Sequence, residues 1–252
     1  MSASRWFAWG LALVLLMACQ HSEPTADAPG TSTFRKAVQD ARVARRSEIV
    51  TTLTPIVPSN DALRWRTTRL AEGDSVREVR MVTWAGPGPL PGTDRTLQPG
   101  RTLTLNAVVW VTAVPEIQQF CRSLDRSGAA LTQRLRQRLG LRPDDAPTRF
   151  VEMWVRPSDL ARPCPNPAIT DRACARRPPG PASVVTVDST YRAWFTQLRT
   201  TTYGPDGYPW TRLGYTYDWH PASDEVGTSE FIIRPGATVD VHAMTPTDAY
   251  CE

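Results

Sequence analysis

The segment "YPWTRLGYTYDWHP", Tyr208 to Pro221, gathers residue types that do chemistry. Arg212, Asp218 and His220 sit among aromatic side chains, and Glu230 follows shortly after. A carboxylate and an imidazole side by side are an ordinary pair for proton transfer or ligand binding. Read as a strand, Thr211 to His220 puts Leu213, Tyr215, Tyr217 and Trp219 on one face. Arg212, Gly214, Thr216, Asp218 and His220 share the other. The aromatic row reads as a buried inter-layer face, with a sugar-stacking platform as the sharper alternative. The polar row reads as a solvated face or as a site. The connector "PASDEVGT" is long enough for a hairpin return to a strand starting at Ser229. That return would bring Asp218 or His220 near Glu230, raising the histidine pKa and lowering that of the glutamate.

Other catalytic signals are missing from the sequence. There is no Gly-x-Ser-x-Gly elbow, His-Glu-x-x-His, Ser-x-x-Lys or P-loop. Only His21, His220 and His242 supply imidazole. A hydrolase would have to use carboxylates such as Asp218, Glu225 and Glu230, and no spacing singles out a pair. No Cys-x-x-Cys or Cys/His pair stands at ligand spacing, so no metal is expected. Lys36 is the only lysine and the net charge is +4. Positive charge is scattered arginine with pairs such as Arg176-Arg177, which gives no footprint for a nucleic acid.

The N-terminus carries an address. Arg5 precedes an apolar run from Trp6 to Met17, too short to span a bilayer core of about 30 Å and of the length of a signal-peptide core. It ends in Leu16-Met17-Ala18-Cys19, which resembles the lipobox of bacterial lipoproteins. The resemblance implies that residues 1–18 are removed and that Cys19 becomes a lipidated mature N-terminus carrying chains such as palmitate. Gln20, where an aspartate would favour the inner membrane, implies the outer membrane, facing the periplasm or the cell surface.

Four further cysteines remain, an even number that reads as two disulfides in an exported chain. Cys164 and Cys174 enclose the short loop "PNPAITDRA", which a disulfide closes easily. That leaves Cys121 with Cys251. Oxidised cysteines leave no thiol nucleophile.

The elements that must hold these residues come next. Residues 19–59 read as a polar tether followed by a short basic helix, with Phe34, Val38 and Ala41 on one face. The globular domain is expected over 60–252. Ser75 to Ala85, Arg101 to Ala113 and Thr148 to Val155 read as strands. Arg101 to Ala113 has apolar residues at every odd position from Leu103, and Val108 and Trp110 call for a cover on its second face. From Pro115, the spacing of Ile117, Phe120, Cys121 and Leu124 predicts a core-facing helix; Ser127-Gly128 weakens it, and Leu131, Leu135 and Leu139 continue the apolar line to Gly140. Asp188 reads as the N-cap of a second helix. Strands and helices do not alternate regularly, so the fold class is α+β: one domain, a largely antiparallel sheet, two or three packed helices and two disulfides.

"VGTSEFIIRPGATVDVHAM", Val226 to Met244, reads as two strands around a Pro235-Gly236 turn. It resembles the closing strand pair of ADP-ribosyltransferases, in which a glutamate ahead of the strand orients the NAD ribose. The resemblance implies that role for Glu230, with Arg64, Arg77 or Arg80 upstream. The second Glu or Gln of that pattern is Thr228 here. "YPWTRLGYTYDW" and "GTSEFIIRPGA" together resemble a family of uncharacterised exported bacterial proteins. The expectation is a cell-envelope lipoprotein with a binding or structural role and no cofactor. It would be held to the membrane by its lipid, with an envelope protein or glycan as partner. The alternatives are an NAD-dependent transferase and a carboxylate hydrolase.

Overall fold

The computed structural model describes residues 30–69, 73–93, 95–180 and 186–252. Cys19, the signal segment and the first part of the tether lie outside them. The fold is α+β, built on an eight-stranded sheet in which every pairing is antiparallel. Its strands are β1 (Trp65–Arg69), β2 (Ser75–Ala85), β3 (Thr102–Leu105), β4 (Val109–Ala113), β5 (Arg149–Val155), β6 (Leu160–Ala161), β9 (Phe231–Ile233) and β10 (Ala237–Pro246). The spatial order is β3-β10-β5-β2-β4-β9-β6, with β1 also on β2. A separate hairpin pairs β7 (Tyr215–Tyr217) with β8 (Val226–Ser229).

Alternation along the strands decides which side chains meet. Val79 and Met81 of β2, Val151 and Met153 of β5, Val239 and Val241 of β10, and Leu103 and Leu105 of β3 enter one buried cluster with β4, β6 and β9. Ile56, Leu63, Leu90 and Leu97 from the connecting segments join it. Burying such side chains contributes about 1.5–3 kcal/mol each, before the entropy cost of ordering them.

Two helical groups cover the other face in patches, and a further helix packs on the separate hairpin. Helices α2 (Glu116–Arg122), α3 (Gly128–Arg138) and α5 (Thr247–Cys251) bring Ile117, Cys121, Leu131, Leu135 and Tyr250 against Val82 and Phe150. Helix α4 (Ser189–Thr201) lays Tyr191, Trp194 and Phe195 over Val108, Trp110 and Ile232. This is the cover that the apolar second face of the Arg101 to Ala113 segment demanded. Helix α1 (Thr31–Ala41) buries Phe34, Ala37, Val38 and Ala41 against Tyr217 and Trp219.

Several expectations need correction. Five α-helices are present among the described residues, not two or three. Among the described residues, the stretch from Gly30 to residue 59, expected to precede the globular domain, packs onto it. Phe34 is 4% exposed, and Leu53 and Ile56 are each 2% exposed, so the 30–59 stretch is core, not tether. The Arg101 to Ala113 segment is two strands. The Asn106 N–H leaves the ladder and donates to Gly92 O at 3.0 Å, so the 86–100 loop wedges in where the strand would continue. The Thr211 to His220 segment is a strand only from 215 to 217; Arg212 (φ 59°) and Gly214 (φ 82°) turn the chain before it. Gly214 has no substitute in this packing. A Cβ there would lie 2.7 Å from the Arg162 Cδ and 2.7 Å from the Cys174 Sγ.

Both disulfides join the expected partners, Cys121 with Cys251 and Cys164 with Cys174. The first ties α2 to α5; the second closes the short loop.

Candidate functional site

The hairpin return after His220 exists, with Tyr215 opposite Ser229 and Tyr217 opposite Val226. It does not join His220 to Glu230. Asp218 is 1% exposed and receives both arms of Arg134, at 2.9 and 2.8 Å, with Arg138 at 3.4 Å. Both arginines come from α3. The Asp218 carboxylate also accepts the His220 N–H at 3.1 Å, and His220 Nδ1 accepts the N–H of Ala222. Burial and the neighbouring Arg134 hold the His220 pKa below its ordinary value, against the pull of Asp218.

Glu230 turns away from this group. Its N–H donates to Gly214 O at 2.9 Å. Glu230 as a whole is half-buried, but its Oε2 is buried with no hydrogen-bond partner among the described residues. Burial pushes its pKa up to about 8. The ionisable groups that sense its charge are Tyr191 of α4 and Tyr203, both on the α4 side. The expected shifts, histidine up and glutamate down, are therefore reversed in both residues. Desolvation acts on each, and no histidine–glutamate contact offsets it.

Arg212, placed beside Asp218 in a simple strand reading, points elsewhere. It donates to Ala41 O (3.3 Å) and Arg42 O (2.8 Å) at the end of α1, and lies 5.6 Å over the Tyr203 ring. The aromatic row is packed, not displayed. Tyr217 and Trp219 lie under α1, and Tyr215 joins Leu53, Leu213 and the Cys164–Cys174 bridge. Asp218, Glu225 and Glu230 each have different neighbours, so no two of them form a pair for acid–base work. Among the described residues, no group of three His, Cys, Asp or Glu side chains could hold a metal ion.

Two features had no sign in the residue pattern. Arg162 is fully buried and donates to the carbonyls of Gly214, Thr54, Ile169 and Asp171. Burial lowers its pKa to about 10, and Glu116 pulls the other way. Glu116 in turn accepts from Thr54 Oγ1 (3.0 Å) and the Ser229 N–H (2.7 Å). Arginine and glutamate together knit residue 54, the stapled loop and the hairpin into one piece. Their partners are scattered over the chain, so no local pattern could have marked them.

The second feature is a cleft on α4. Tyr191, Arg192, Phe195, Thr196 and Arg199 of the helix form one wall, with Val187 just before it. Ala44, Pro165, Arg176, Pro178 and Arg212 complete it. Its enclosed part, about 90 Å³, is continuous through Val187, Arg192 and Thr196 with a wider, shallower groove of about 620 Å³ along the helix. The 3.6-residue spacing of Arg192, Phe195, Thr196 and Arg199 was legible as one helix face, but what lies opposite was not.

Comparison with family models, with curated proteins and with solved structures finds no match to this chain.

Proposed function

We propose that this is an exported bacterial lipoprotein, held at the outer membrane by lipid on Cys19, whose role is to bind an envelope protein or glycan and not to catalyse a reaction. The observation that carries the reading is the state of the cysteines. Every cysteine after Cys19 is consumed in a disulfide, which suits an oxidising compartment beyond the cytoplasm, and leaves Cys19 as the one available for acylation. The side chains best placed for chemistry support the binding half. Asp218 is spent on Arg134 and Arg138, and Glu230 makes no pair with His220.

Labelled palmitate fed to a producing bacterium should enter the wild type and be lost in Cys19→Ala. Equal labelling of both would remove the lipoprotein reading. An NAD-dependent transferase centred on Glu230 is the rival, favoured by the unpartnered Oε2 of that residue. Titration calorimetry with NAD on wild type and Glu230→Ala separates the two: the binding reading expects the same response from both, the transferase reading heat lost in the variant.

A further inference from the structure

We infer that the α4 cleft binds a phosphate-bearing ligand through Arg176, Arg192, Arg199 and Arg212. The inference rests on the reading of the protein as a binding protein and names the chemistry of its ligand. Among the described residues, no carboxylate lines the cleft. None of the four guanidinium groups is in an ion pair among the described residues.

Their protein partners are chiefly backbone carbonyls. Arg176 donates to Ala44 O at 3.3 Å, Arg192 to Val187 O at 3.4 Å, and Arg212 to Ala41 O and Arg42 O. Those bonds aim the guanidinium planes without neutralising them. What sets the four apart is their convergence on one concavity; some arginines elsewhere have carboxylate partners, such as Arg66 with Glu78 and Asp240, and Arg134 with Asp218. Four like charges gathered around one concavity repel one another, and an anion between them relieves that repulsion.

The donor set favours phosphate over carboxylate. One guanidinium fork satisfies a carboxylate, whereas a phosphate group offers three acceptor oxygens and up to two charges to several forks at once. The apolar lining has a use too. Phe195, Val187 and Pro165 give a surface for the uncharged part of the ligand, which can run out along the shallow groove past Thr196. The Tyr191 hydroxyl is already bonded to Arg162 O and Cys164 O, so that residue presents only its ring.

A soluble phosphorylated compound and a phosphorylated lipid headgroup share this chemistry, and the test separates them. The mature full-length protein is unfolded thermally in neutral detergent at constant ionic strength, with increasing inorganic pyrophosphate in one series. In the other, a short-chain phosphomonoester lipid is added to the same micelles. Ligand binding to the native state raises the melting temperature in a saturable way. Arg192→Ser/Arg199→Ser is the partner variant. Both side chains are exposed, and their loss removes repulsion, so the variant alone should melt no lower than the wild type. Its apparent affinity should fall by roughly tenfold or more, because two charge-assisted contacts are lost. A saturable shift from pyrophosphate assigns a soluble ligand, and one from the lipid alone assigns a headgroup. No saturable shift in either series, or the same shift in wild type and variant, overturns the inference. Neither result touches the palmitate experiment, so this site can fail while the anchoring stands.

Discussion

Glu230 holds a carboxyl at a pKa of about 8, against about 4.3 for a free glutamate. Between those values the folded protein keeps a proton that the unfolded chain has released. The stability this group contributes is therefore full below about pH 4, declines as pH rises, and is gone above about pH 8. Glu116 and Asp159 are raised by burial and tilt stability the same way, while Asp188 and Asp240 are lowered and tilt it the other way. His220 and His242, both lowered by burial, add a rise in stability with pH, so the raw profile mixes several groups, and Glu230→Gln isolates one. The amide keeps the shape and has no proton to lose. Urea unfolding from pH 5 to pH 8 should show the variant gaining on the wild type by a few kcal/mol, on the order of 1.4 per pH unit. A constant gap across that range would show that the carboxyl is open to water. The sequence singled out this residue but gave its shift the wrong sign. Its neighbours, Tyr191 and Tyr203, come from the helical segment before the hairpin, and no spacing rule links them to it.

Between elements, the Asp218 carboxylate joins the β7–β8 hairpin to α3. Buried, with Arg134 bidentate and Arg138 beside it, it offsets two charges that would otherwise stand uncompensated. Asp218→Ala should cost about 3–5 kcal/mol in chemical denaturation, and Asp218→Ala/Arg134→Met should recover part of it. Equal losses from single and double variants would mean the ion pair is not what holds the helix. Local signals did place many elements. Ser75 to Ala85 is a strand with the expected bounds, and the Asp188 side chain caps α4 by accepting the Tyr191 N–H at 3.0 Å. The helix expected from Pro115 is two helices, and the second starts at the Ser127-Gly128 weak point, where Gly128 has φ 55°. The Gly128 N–H is capped by the Asp248 carboxylate of α5 at 3.1 Å. Aspartate and glycine lie 120 positions apart, so that cap is beyond the reach of any periodicity.

Across the whole molecule, the helix face of Phe34, Val38 and Ala41 was readable while its partner was not. Tyr217 and Trp219 complete that layer, so the packed body includes α1, which lies before the break at "TPIVPSND". The disulfides work at the same scale, and unequally. Cys121–Cys251 spans 130 residues and Cys164–Cys174 spans 10. Loop entropy alone gives the long staple roughly 4–5 kcal/mol and the short one about 2–3 kcal/mol. The structure widens this difference. The short loop is also held by Arg162, which bonds Ile169 O and Asp171 O, and by the N–H groups of Leu53 and Ile56, which donate to Arg172 O and Ile169 O. Much of its order survives without the bridge. At the other end, α5 is five residues long, too short to persist alone, and it depends on its bridge to α2 and on the packing of Tyr250. Cys121→Ser/Cys251→Ser should therefore lower the urea midpoint more than Cys164→Ser/Cys174→Ser. The reverse order would show that the Arg162 network forms only after the short loop is closed.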